Sequence, residues 1–172
     1  MTSGTPEPAT RIAAITLDEH TVLARSEAVE NERAAAISDL LKDNQFAPCS
    51  GLCGPFALHL AVEENRLNMV VRSLADGSHA PGSLTNGASE TIVLPLAPFR
   101  RIVKDYFLIC ESYYQAIRER GFAQVEAIDA GRRSLHNEGA DLLVERLAGK
   151  VTIDHATARR LFTLLCVLHL RA

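Results

Sequence analysis

Apolar residues recur at three- and four-residue steps through PFRRIVKDYFLICESYYQAIRER, residues 98 to 120. Phe99, Ile102, Val103, Tyr106, Ile109, Cys110, Tyr113 and Ile117 therefore share one face of a helix, and that face is predicted to meet the core. Pro98 suits the first helical position, where a missing N–H leaves nothing unpaired, and Gly121 can supply a left-handed stop. Arg118 and Arg120 in the last turn favour the negative end of the helix dipole. A helix of about 23 residues runs roughly 35 Å, the width of a small domain, so other elements must pack along it. Arg100, Arg101, Lys104, Asp105 and Glu111 interrupt the apolar run, which argues against a bilayer span.

Ahead of this helix the period changes. Residues 1 to 10 are small and polar with two prolines and read as a flexible tail. Arg11 to Leu17 is a β-prone run through Ile12, Ile15 and Leu17, which Val22 and Leu23 can extend past Asp18 and Glu19. Ser26 can cap a helix reaching Leu41, with Val29, Arg33, Ala36, Ile37, Leu40 and Leu41 as its stripe and Glu27 and Glu30 at its positive end. Phe56, Leu58, Leu60 and Val62 alternate with Ala57, His59 and Ala61. Leu67, Met69 and Val71 repeat the alternation after Glu63-Glu64-Asn65-Arg66, which predicts a hairpin. Thr91 to Leu96 can complete an antiparallel sheet against the first strand of that hairpin. Between them, residues 73 to 89 hold Gly77, Gly82, Gly87, Pro81 and several serines, the composition of a mobile loop.

Beyond residue 120 the chain stays helical. Val125, Ile128, Leu135, Leu142, Leu143 and Leu147 keep helical spacing, but Gly131 and Gly139 each cost about 1 kcal/mol relative to Ala inside a helix. One helix, or two joined near residues 131 to 136, both fit. Gly149 ends the segment. Asp154 caps a last helix whose residues Leu161 to Leu168 are apolar nearly all round, a pattern that needs cover from neighbours or a partner subunit. The fold class predicted is α+β: a small antiparallel sheet from the N-terminal half packed against a helical C-terminal half with a long central helix. Residues 11 to 172 form a single domain, since two domains from 172 residues would each be small.

Charge adds an asymmetry. Residues 1 to 96 carry 6 Lys/Arg against 12 Asp/Glu, whereas residues 97 to 172 carry 12 against 9. The C-terminal half can thus present an anion-attracting face, although the strongly basic footprint of a general nucleic-acid binder is absent. The opening MTSGTPEPAT has neither the basic nor the apolar region of a secretory signal, which points to the cytoplasm. Four cysteines are too few for a disulfide scaffold, so thiols are expected.

The stretches PFRRIVKDYFLICESYYQAI, RRSLHNEGADLL and ATARRLFTLLCVLHLR resemble a bacterial family, known mainly from alphaproteobacteria, that is labelled only as an uncharacterised protein family. The resemblance covers most of residues 98 to 172 and, more loosely, the strand and helix pattern before them. It implies a cytosolic bacterial protein of this size. With no activity assigned to that family, it gives no residue a role.

Chemistry is sought first in Arg132, Arg133, Ser134, His136, Asn137 and Glu138. On a helix, Arg132 and His136 stand four apart on the face of Gly139, whose missing side chain lets a ligand or another backbone approach. Arginine offers a planar fork for carboxylate or phosphate, and histidine changes charge near neutral pH. The competing reading has Asp129 paired with Arg132 or Arg133 and His136 bonded to a neighbouring helix. Arg100, Arg101 and Lys104 form a second basic set at a helix start, with an Arg101–Asp105 pair as its plain explanation. Arg159 and Arg160 can join either set in space. Cys49-Ser-Gly-Leu-Cys53 with His59 has half the spacing of a zinc site, but no second pair completes it, and neither a metal nor a cofactor is expected. Walker A, GxGxxG, HExxH and GxSxG patterns are absent.

These observations lead to the expectation of a cytosolic, non-catalytic binding or regulatory protein that self-associates through residues 155 to 170. The alternative is a small enzyme or sensor holding a phosphorylated or carboxylated metabolite on Arg132, Arg133 and His136.

Overall fold

The computed structural model describes residues 8–19, 26–75, 88–119 and 121–169. In chain order its elements are β1 (Ile12–Leu17), α1 (Glu27–Lys42), β2 (Phe46–Pro48), β3 (Phe56–Glu63), β4 (Arg66–Ser73), β5 (Ser89–Pro95), α2 (Arg100–Glu119), α3 (Phe122–Leu147), β6 (Val151–Ile153) and α4 (His155–His169). Short 3-10 turns occupy Pro8–Thr10 and Ala97–Phe99. The expected extension through Val22 and Leu23, most of the N-terminal tail and residues 76–87 of the Gly/Ser loop lie outside the described residues.

The alternating hairpin forms as its pattern predicts. β3 and β4 pair antiparallel from Phe56↔Ser73 to Glu63↔Arg66, and Glu64 and Asn65 turn the corner with φ of 48° and 61°. Positive φ at both central residues matches the right-handed twist of the flanking strands. The third run does not pair with the first hairpin strand. β5 lies on β4, with Leu67 opposite Leu94, because the far edge of β3 is taken by β1. β1 runs parallel to β3, with Ile12 beside Phe56 and Leu17 beside Leu60. Parallel neighbours need a crossover, and α1 supplies it. The sheet is therefore mixed, in the order β1-β3-β4-β5, and the α+β class with a helical C-terminal half holds. A two-stranded piece, β2 with β6, joins the two halves by pairing Phe46 with Ile153.

α1 contacts β1, and α4 packs against α1, α3 and β3. The inward strand residues Phe56, Leu58, Leu60, Leu67, Met69, Val71 and Leu94 are almost fully buried and share one core with Leu161, Phe162, Leu164 and Leu165 of α4. The apolar surface of α4 is thus covered by its own chain, and it does not by itself call for a second subunit over residues 155–170. Asn44, just after α1, pins that helix to the sheet. Its side chain accepts from Ile12 N at 2.7 Å and donates to the carbonyls of Ile12 at 2.9 Å and Leu40 at 2.8 Å.

α2 is an unbroken rod from Arg100 to Glu119, with Pro98 in the preceding 3-10 turn. Ile102, Val103, Tyr106 and Cys110 are buried, whereas Ile117 at the far end of the predicted stripe is 52% exposed. Gly121 does not close α2 with a left-handed turn. It is extended (φ −75°, ψ 162°) and opens α3, where the Gln124 side chain accepts from its N–H at 3.2 Å. α3 is one helix in spite of its glycines, and both glycines sit where a neighbour presses in. A Cβ at Gly139 would stand 2.5 Å from the Phe162 ring, and one at Gly131 would stand 2.7 Å from Ile109 Cδ1. The space beside Gly139 thus holds a phenyl ring. Ser26 caps α1 by accepting from Val29 N, Asp154 caps α4 by accepting from Thr157 N at 3.0 Å, and Gly149 turns with φ 81°. No helix among the described residues is long and apolar enough to cross a membrane.

Candidate functional site

Helical spacing on α3 directs Asp129, Arg132 and His136 toward α1, α2 and α4, where they meet a buried polar network. Glu32, on the inner face of α1 and only 7% exposed, is its hub. Arg132 donates from Nη1 to Glu32 Oε1 at 2.7 Å and from Nε and Nη2 to Asp129 Oδ1 at 3.1 and 2.8 Å. Tyr106 of α2 donates its hydroxyl to Glu32 Oε2 at 2.8 Å. The Arg132 guanidinium also lies 4.4 Å from the centre of the Tyr113 ring, a cation–π contact. Burial works against the charge of Arg132, but the Asp129 hydrogen bonds and the charge of Glu32 outweigh it, and its pKa is raised.

His136 Nε2 lies 3.2 Å from Tyr106 Oη and 3.1 Å from Thr163 Oγ1. The Tyr106 proton is committed to Glu32, and the Thr163 hydroxyl donates to the Arg159 carbonyl at 3.2 Å. Both hydroxyl oxygens are left as acceptors, which assigns the proton of the neutral ring to Nε2. Burial, then the charges of Arg159 and Arg132, push the His136 pKa down to about 4, so the ring is neutral at pH 7. The thiols nearby are also unreactive. Burial and then Glu32 push Cys110 up to about 12, and burial raises Cys166 well above its ordinary value. Burial raises Tyr106 as well.

Next to this network a cleft of about 330 Å³ opens between α1, α3 and α4. Glu32, Ala35, Ala36 and Asp39 form its α1 wall, Arg132 and His136 its floor on α3, and Ala156, Arg159, Arg160 and Thr163 its α4 wall. Arg159 Nε is buried, with no hydrogen-bond partner among the described residues. Arg160 donates from Nη1 to the Asp43 carbonyl at 2.9 Å. Among the described residues neither arginine has a carboxylate partner.

The predicted site residues separate. Arg132 and His136 reach the cleft, and Arg159 and Arg160 join them there. Arg133 lies on the exposed flank, 3.3 Å from Asp129 Oδ2. Asn137 is exposed, and Glu138 pairs with Arg101 at 2.5 Å, while Arg101 also reaches Asp105 at 3.3 Å. The two basic sets therefore touch through one surface ion pair, away from the cleft. Arg100 and Lys104 instead border a shallow apolar depression with Val103, Phe107 and Leu108. Cys49 is exposed and Cys53 half-buried, and no group of three or more His, Cys, Asp or Glu suited to a metal occurs among the described residues. Glu32 escapes notice in the sequence because Arg33 fits the stripe of α1 nearly as well. The available signal is a carboxylate at the inward positions shared with Val29 and Ala36. Arg33 in fact turns to Glu19, at 2.6 and 2.9 Å.

Fold and cleft together define an α+β protein with an arginine-walled pocket among its helices. The chain belongs to the Uncharacterised protein family (UPF0262), whose sequence profile matches residues 9–171. It is 57% identical over 157 residues to a UPF0262 protein of Rhodospirillum rubrum, covering 91% of each chain. It is 48% identical over 166 residues to one of Xanthobacter autotrophicus, covering 94% of this chain and 93% of that one. A Rhodopseudomonas palustris relative is 51% identical over 170 residues, with 98% of both chains covered. No solved structure matches.

Proposed function

We propose that this is a cytosolic binding or regulatory protein that takes a small anion in the cleft between α1, α3 and α4 and does not transform it. The observation that carries this reading is Arg159 Nε, buried without an acceptor at the wall of an open cleft. A buried donor left unpaired costs about 1–3 kcal/mol, and an anionic ligand removes that penalty by supplying the acceptor. Arg160 beside it has a carbonyl partner but no ion pair among the described residues, so the α4 wall keeps positive charge to offer. Arg132 already has its charge met by Glu32 and Asp129, and its part is to shape the floor.

Binding is favoured over catalysis by the state of the titratable groups. His136 is neutral, and its Nε2 proton is committed to two hydroxyls; Cys110 and Cys166 are held as thiols. None of these is an activated nucleophile or a base poised near pH 7.

Thermal denaturation with inorganic phosphate, sulfate and citrate tests the reading. A ligand at ten times its Kd stabilises by about 1.4 kcal/mol, a rise of roughly 3–5 °C for a chain of this size. At least one anion is expected to give such a rise, Arg159→Gln to abolish it, and Arg133→Gln, on the exposed flank, to keep it. No rise with any anion, or an undiminished rise in Arg159→Gln, overturns the proposal.

A further inference from the structure

The cleft presents charge of both signs. Glu32 on the α1 wall is neutralised by Arg132 and bonded by Tyr106, but Asp39, farther along the same wall, is exposed and has no ion pair among the described residues. Across from it stand Arg159 and Arg160, also without carboxylate partners among the described residues. Asp39 and Arg160 border one space without closing on each other as a salt bridge. The linings between the charges are small: Ala35, Ala36 and Ala156. A volume of about 330 Å³ lies at the lower end of ligand pockets, which suits a molecule of few heavy atoms.

We propose that the cleft takes a small zwitterion of amino-acid type, its carboxylate held by Arg159 and Arg160 of α4 and its ammonium by Asp39 of α1. This rests on the reading that the cleft binds an anion, and adds a second, cationic point of attachment. The carboxylate meets the guanidinium groups of Arg159 and Arg160, whose forks match it in a planar geometry. The ammonium then bridges to a carboxylate that the protein leaves unpaired. A simple anion satisfies only the α4 wall. Recognition of both charges selects against ammonium-free acids, which leave Asp39 facing the carboxylate with nothing between them.

Isothermal titration with the proteinogenic L-amino acids, each compared with its ammonium-free counterpart such as propionate for alanine or glutarate for glutamate, tests this directly, with inorganic phosphate as a control anion. At least one amino acid is expected to bind roughly five- to tenfold more tightly than its counterpart, the worth of one charge-assisted contact at a partly exposed site. Asp39→Asn, an exposed and nearly isosteric change, is expected to close that gap, weakening the amino acid and leaving the counterpart no weaker, since the carboxylate that faced it is gone. Arg160→Gln is expected to weaken both. Equal affinities in the unmodified protein, a gap that persists in Asp39→Asn, or binding of phosphate but of no amino acid overturns the zwitterion and leaves the anion reading standing. Absence of binding by every probe overturns both.

Discussion

His136 makes the stability of this fold depend on pH in a way that can be calculated. Its ring is enclosed by Tyr106 from α2 and Thr163 and Arg159 from α4, with Arg132 and Asp129 on its own helix and Glu32 of α1 one bond further on. Burial and the two arginines lower its pKa from 6.5 to about 4. Below 6.5 the unfolded chain takes up a proton that the folded chain refuses, so acidification favours unfolding until the folded ring also titrates near pH 4. Stability from this group is complete above pH 6.5 and is lost as pH falls toward 4. The full loss is about 3 kcal/mol, of which about 2 kcal/mol falls between roughly pH 7.5 and pH 5. Urea denaturation of the protein and of His136→Gln at those two pH values is the assay. Gln can still donate to the two hydroxyls but does not titrate, and the carboxylates common to both proteins cancel in the difference. The unmodified protein is expected to lose about 2 kcal/mol more than the variant over this interval. Equal losses would refute the reasoning, because they would mean that the fold accepts the charged ring.

Other consequences follow from packing. Gly139→Ala drives a methyl into the rigid Phe162 ring and is expected to destabilise by about 1–2 kcal/mol, overpacking outweighing the gain in helix propensity. Gly131→Ala meets only the flexible end of Ile109 and is expected to be neutral or stabilising by up to about 1 kcal/mol, so equal urea midpoints for the two variants would contradict this packing. Asn44→Ala strands the N–H and carbonyl of buried Ile12 and is expected to cost about 2–4 kcal/mol; a loss below about 1 kcal/mol would remove Asn44 as the pin between α1 and β1. Leu164→Ala is expected to cost about 2–5 kcal/mol, with a melting temperature that does not change over a roughly hundredfold range of protein concentration, since α4 is covered by its own chain. A melting temperature rising with concentration would show folding coupled to self-association and contradict this expectation.

The parts of the fold visible in the sequence are those with a local period. The stripe of α2, the alternation of β3 and β4, and the caps at Ser26 and Asp154 each follow from residues within one or two turns of one another. What the sequence hides is decided by distant partners. β1 pairs with β3 because α1 lies between them as a crossover, and a strand, a helix and a strand in succession is the signal for that arrangement. β2 and β6 have three residues each, too few to show a period, and find each other across more than half the chain. Gly131 and Gly139 look like breaks by propensity, yet Ile109 and Phe162 occupy the space they leave. In the site, Arg132 and His136 are legible from their i, i+4 spacing on α3. Arg133 is not separable from Arg132 by residue type, and only the turn of the helix sends it outward. Glu32, Asp39 and Arg159 come from other helices, so their convergence is a property of the packing of α1 and α4 rather than of any contiguous stretch.

The claim on which the function depends is that Arg159 offers a buried, unsatisfied donor to an anion. Proton–nitrogen correlation spectra of the arginine Nε–H groups, with Arg159 assigned through Arg159→Lys, observe that donor itself during titration with inorganic phosphate. A saturable displacement of the Arg159 signal, with Arg133 stationary, is the expected result. An Arg159 signal that stays in place to saturating phosphate, or that moves no more than the exposed Arg133, would contradict the account.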